Sequence, residues 1–127
     1  MAGRRIGMSR KVMVCDDDEG ILEMMEMLLD EFGYDIITEK NSTRALKTLE
    51  EQMPDLLLLD IWMPVIAGDQ VLRNIRLNPK VAGIPVIMYS ASNEGAAIAA
   101  SVGADDFISK PFDLDEMEAK INKLLSS

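Results

Sequence analysis

Histidine is absent from the chain, so neither imidazole acid–base catalysis nor a histidine-ligated metal is available to it. There is one cysteine, Cys15, which cannot close an intrachain disulfide and so favours a reducing compartment. Set inside an apolar run, it reads as a small buried hydrophobe. Basic residues are the minority: 13 Lys and Arg against 22 Asp and Glu leave a formal charge of −9. That balance argues against attachment to a phosphate backbone or an anionic membrane surface, so neither nucleic acid nor membrane is expected as a direct partner. No uninterrupted apolar stretch reaches about 18 residues and no signal-like apolar segment is present, which implies a soluble, cytoplasmic protein. The 127 residues, 48% of them hydrophobic, fit one domain with a buried core and leave no room for a separate output or catalytic domain.

Residues 1 to 9, with Gly3, Arg4, Arg5 and Gly7, show no periodicity and read as a flexible N-terminal tail; a single domain is expected over 10 to 127. Strands and helices then alternate: strands at 11 to 16, 35 to 38, 55 to 60, 84 to 90 and 105 to 109, and helices at 19 to 32, 43 to 52, 68 to 77, 94 to 101 and 113 to 125. Ile21, Leu22, Met25, Leu28 and Leu29 recur at helical spacing, as do Leu114, Met117, Ile121 and Leu124. Ser42, Asn93 and Asp113 are candidate N-caps, and Gly33 and Gly103 lie at helix ends. Five successive βα units imply an α/β fold with a parallel sheet covered on both faces by right-handed crossovers. The unbroken run Leu56 to Leu59 suits a strand buried on both sides.

Ligands of such sheets bind beyond the carboxyl ends of the strands. Asp16 and Asp17, Asp60, Ser90 and Lys110 all lie at or just past predicted strand ends. Three crowded carboxylates repel one another unless protonated or neutralised by a cation. An all-oxygen donor set selects a hard ion, Mg²⁺ above all, with Mn²⁺ as an alternative. The charges balance: about −3 from the carboxylates against about +3 from a dication and the Lys110 ammonium. An ionised carboxylate needs no general base to attack phosphorus and form an aspartyl phosphate. On this reading Asp60 is the nucleophile, and Asp16 and Asp17 hold the metal with the Trp62 backbone carbonyl. Lys110 pairs with one phosphoryl oxygen and Ser90 hydrogen-bonds another. Taken singly the residues have plainer uses: Asp17 or Asp18 as a helix cap, Lys110 as a solvated loop lysine, Ser90 as a turn residue.

The ordered motifs Val14-Cys15-Asp16-Asp17-Asp18, Leu58-Leu59-Asp60-Ile61-Trp62-Met63-Pro64, Tyr89-Ser90-Ala91 and Phe107-Ile108-Ser109-Lys110-Pro111-Phe112 resemble the receiver domain of two-component response regulators. The likeness runs over about 11 to 125 and is to the stand-alone, single-domain kind. It implies a flavodoxin-like (βα)₅ three-layer sandwich with strand order 2-1-3-4-5. It implies Mg²⁺-dependent transfer of a phosphoryl group to Asp60 from a sensor histidine kinase or phosphotransfer protein, with autodephosphorylation. Ser90 and Phe107 would be the switch pair that remodels the face formed by helix four, strand five and helix five. Output would then pass to a downstream effector protein or along a phosphorelay. Lys110-Pro111 would be a cis peptide.

Two stretches depart from the family pattern or carry further expectations. The loop after Met63-Pro64 reads Val65-Ile66-Ala67-Gly68 where the family often has Asp-Gly, and Gly68 is expected to let the chain turn. Trp62 is bulky and is expected to shield an acyl phosphate from water. Helix four, with Ala96, Ala97, Ala99 and Ala100 around Ile98, is expected to be weakly anchored. An FMN or nucleotide binder of the same fold would place phosphate-cradling Gly, Ser and Thr after strand one, where this chain has Asp16-Asp17-Asp18-Glu19. An aspartyl-phosphate hydrolase would need an acid/base carboxylate two residues after the nucleophile, where Trp62 stands. A binding module that has lost phosphorylation would not need the whole acidic, hydroxyl and lysine set.

Overall fold

The computed structural model of the chain describes residues 10–92 and 94–126; the expected tail at 1 to 9 and the expected cap Asn93 lie outside them. Five parallel strands, β1 (Lys11–Cys15), β2 (Asp35–Glu39), β3 (Leu56–Asp60), β4 (Val86–Ser90) and β5 (Asp106–Ser109), form one sheet in the order β2-β1-β3-β4-β5. The helices are α1 (Glu19–Glu31), α2 (Ala45–Gln52), α3 (Gly68–Leu77), α4 (Gly95–Ser101) and α5 (Leu114–Leu125). The flavodoxin-like α/β reading and its strand order therefore stand.

Strand alternation divides the core in two. Val12, Val14, Leu56, Leu58, Ile87, Tyr89 and Ile108 face Leu22, Met25 and Leu29 of α1 and Met117 and Ile121 of α5. Met13, Cys15, Leu57, Leu59 and Met88 face Ala45, Leu49, Leu72, Ile75 and Ala99 of the other three helices. With helices on both faces, β3 and β4 are buried along their whole length, which is why they read as continuous apolar runs. The Cys15 thiol belongs to this core; burial, then the charge of Glu39, pushes it up to about 12, so it is an inert hydrophobe as expected.

Local signals decide the ends. The Asp18 side chain accepts from the backbone N–H groups of Gly20 and Ile21 and caps α1; Asp113 does the same for α5 through Glu116. Ser42 does not cap α2. A 3₁₀ turn (Ser42–Arg44) precedes that helix, Asn41 caps the turn, and the buried Ser42 hydroxyl donates to the Pro64 carbonyl at 3.0 Å. β4 starts at Val86 rather than 84 because Pro85 has no N–H for the ladder. In α5 the buried stripe is Met117, Ile121 and Leu125, while Leu114, expected on it, is exposed. α4 carries only Gly95 and Ala99 as buried residues.

Candidate functional site

The parallel ladder sets the site. Cys15 pairs with Leu59, so Asp16 and Asp60 leave adjacent strands side by side at the carboxyl edge. Asp60 in turn pairs with Tyr89, and Ser90 with Ser109, directly before Lys110. Oxygens of Asp16, Asp17 and Asp60 lie within 4.8 Å of one another, with Asp16 and Asp60 buried and Asp17 exposed. Asp18, next in sequence, is spent on the α1 cap.

Asp60 is only 4% exposed and Asp16 1%. Burial, then the charge of Asp16, raises the Asp60 carboxyl from 3.8 to about 6, against the opposing pull of Lys110 and of the Trp62 N–H. That N–H donates to Asp60 Oδ1 at 3.4 Å, a long bond. The Lys110 ammonium forms its 3.9 Å ion pair with Asp16 and lies 5.3 Å from the centre of the Tyr89 ring. The Lys110-Pro111 peptide is cis, as the resemblance implied, and the Lys110 N–H donates to the Ser90 carbonyl at 3.0 Å.

Backbone packing behind Asp60 depends on a glycine. A Cβ at Gly68 would stand 2.1 Å from the Asp60 carbonyl oxygen, so only glycine lets α3 begin this close to the β3 end. Close approach, not turning, is its role. The residue with left-handed backbone in this loop is Val65, at φ 68°, which corrects the expectation placed on Gly68. Trp62, in the same loop, is 51% exposed.

Ser90 is buried and its hydroxyl accepts from the Ser92 N–H at 3.0 Å, closing a tight turn after β4. Phe107 is half-buried on the α4 side of the sheet. The start of α4 sits against both: a Cβ on Gly95 would meet Ser90 Cβ at 2.8 Å and the Phe107 ring at 2.9 Å. The sequence motif Tyr89-Ser90-Ala91 gives Tyr89 no role of its own, but the folded chain does. Its hydroxyl donates to Asp16 Oδ2 at 2.7 Å. A tyrosine within an otherwise aliphatic buried strand is the signal that could have found it, because a buried phenol needs a partner.

Crowded anionic oxygens with no soft donor among them suit a hard divalent cation. The cluster thus fits Mg²⁺. It also leaves a carboxylate at the end of a rigid strand, with an ammonium nearby.

The family model described as "Response regulator receiver domain" matches residues 12–122. The alkaline phosphatase synthesis transcriptional regulatory protein PhoP of Bacillus subtilis is 33% identical over 120 residues, 93% of this chain and 49% of that protein. The DNA-binding response regulator MtrA of Mycolicibacterium paratuberculosis is likewise 33% identical, over 93% of this chain and 52% of its own length. The chain thus spans about half the length of these relatives. Among solved structures, the Francisella response regulator 1452 receiver domain superposes with a TM-score of 0.83 at 30% identity, covering 93% of this chain and 98% of that one.

Proposed function

The chain belongs to the response regulator receiver domain family, and from that premise we propose that it accepts a phosphoryl group on Asp60 and passes the signal on by changing shape. The donor is a sensor histidine kinase or phosphotransfer protein, whose phosphohistidine carries the group on nitrogen. An Asp60 carboxylate oxygen forms the new O–P bond while the donor's N–P bond breaks, and the departing imidazole keeps the electron pair and takes a proton. Asp16, Asp17, Asp60 and the Trp62 backbone carbonyl would hold Mg²⁺, or Mn²⁺ in its place. When bound, the ion neutralises charge on the phosphoryl oxygens. Lys110 moves from its pairing with Asp16 to a phosphoryl oxygen, and Ser90 turns its hydroxyl from the Ser92 N–H to another.

The single observation that carries this reading is the convergence of three carboxylates within 4.8 Å at the ends of β1 and β3. Ser90 and Phe107 both stand against the place a Cβ on Gly95 would take, so the two proposed switch side chains flank the start of α4, which supports a coupled switch. The output face is α4, β5 and α5, and a downstream protein reads it in the cytoplasm. Trp62 stands two residues after Asp60, where an aspartyl-phosphate hydrolase would place its acid/base carboxylate, so loss of the phosphoryl group is slow self-dephosphorylation rather than turnover of a substrate. MtrA is named as DNA-binding, and this chain aligns with about half of it. With its charge of −9 the chain is proposed to bind protein rather than nucleic acid.

The test is intact-mass analysis after incubation with Mg²⁺ and acetyl phosphate. Wild type gains one phosphoryl group, and Asp60→Asn and metal-free wild type gain none; equal labelling of Asp60→Asn rejects the site.

A further inference from the structure

We infer that Tyr89 is a positioning residue for the acidic cluster, setting the orientation of Asp16 for metal binding through its hydroxyl and the place of Lys110 through its ring. This rests on the function proposed above. The Tyr89 side chain is wholly buried, and its hydroxyl donates to Asp16 Oδ2 at 2.7 Å. The other oxygen, Oδ1, accepts from the Asp18 N–H at 2.9 Å. One donor on each oxygen fixes the carboxylate torsion, and a hydrogen bond to an ionised acceptor is about twice as strong as a neutral one. A merely structural tyrosine would satisfy its hydroxyl on any nearby carbonyl, and an aliphatic residue would fill this strand as its neighbours do. The hydroxyl is instead committed to a member of the candidate metal site.

The strand itself makes the support rigid. Tyr89 pairs with Asp60 in the ladder, and its carbonyl accepts from the Ile61 N–H at 3.1 Å. One residue therefore references Asp16, on β1, to the backbone that carries Asp60, on β3. The ring serves the third charge. Lys110 lies over its face at 5.3 Å, and Phe112 meets it edge-on at 5.2 Å and 79°. Hydroxyl and ring thus have separable duties, the first toward the metal and the second toward the ammonium.

The experiment compares wild type, Tyr89→Phe and Tyr89→Leu by calorimetric Mg²⁺ titration, with fluorescence of the single tryptophan, Trp62, as a second readout. Loss of a partner that orients a metal ligand weakens metal affinity by roughly 10- to 100-fold. Tyr89→Phe is expected to raise the Mg²⁺ Kd about 10-fold. Its slower labelling by acetyl phosphate is expected to be rescued by raising Mg²⁺. In Tyr89→Leu, which also removes the ring beneath Lys110, saturating Mg²⁺ does not rescue labelling. A Kd in Tyr89→Phe that is unchanged or tighter overturns the inference, as does full rescue of Tyr89→Leu. Should Tyr89→Phe not unfold cooperatively, the Tyr89 ring-carbon resonance of wild type is followed instead. It is expected to shift along the same binding curve as Trp62, and a stationary resonance overturns the inference. Absence of Mg²⁺ binding by folded wild type overturns the proposed function itself, which separates the two failures.

Discussion

Replacing Asp60 by Asn is expected to make the metal-free protein more stable at neutral pH, although it deletes the proposed reactive group. The Asp60 carboxyl titrates at about 6 in the folded chain against 3.8 as a free side chain, because it is buried and faces Asp16. At about 1.36 kcal/mol per pH unit, that difference of about 2 units corresponds to roughly 3 kcal/mol. The sign follows from proton counting. Between 3.8 and about 6 the folded protein keeps a proton that the unfolded chain has lost, so stability falls as pH rises through this window. The loss is complete above about 6 and absent below 3.8. Asp60→Asn carries no such penalty. Its advantage over wild type should grow from near zero at about pH 4 to roughly 3 kcal/mol at about pH 7.5. Urea denaturation in EDTA across that range measures it. Mg²⁺ at about 100 times its wild-type Kd should return about 2.7 kcal/mol to wild type and less to the variant, which has lost one of the proposed ligands. A pH-independent gap, or a variant less stable than wild type at neutral pH without metal, would refute the electrostatic reasoning.

Other consequences are more local. Val65 holds a branched side chain at φ 68°, so Val65→Gly should stabilise the fold by about 1 kcal/mol, read as a rise in melting temperature. α4, with only Gly95 and Ala99 buried, should exchange its amide protons faster than α1, which buries Leu22, Met25 and Leu29; equal protection in the two helices would contradict the weak anchoring. Trp62 stands half exposed beside Asp60, and Trp62→Asn should shorten the lifetime of the phosphorylated protein several-fold if its ring covers the acyl phosphate. An unchanged decay rate of the labelled protein would leave the indole as surface decoration.

Periodicity and strand-end charges are enough to read the α/β class and to name the acidic residues, Ser90 and Lys110, whereas the strand order and Phe107 follow only from the resemblance to receiver domains. Chain-local information suffices for the class and for the strand-end residues because burial of a parallel strand on both faces writes itself as an apolar run, and the residue that breaks the run marks the sheet edge. The pairings inside the edge were not legible. Lys110 meets Asp16, Gly68 is needed for contact with the Asp60 backbone while Val65 takes the left-handed turn, Ser42 reaches across to Pro64, and Tyr89 gives its hydroxyl to a residue far away in the chain. Each of these depends on which strands lie side by side and in what register. Sequence therefore settled which groups sit at the carboxyl edge; the folded sheet, by fixing their distances and burial, decided which of them touch and how far Asp60 is driven from its ordinary titration.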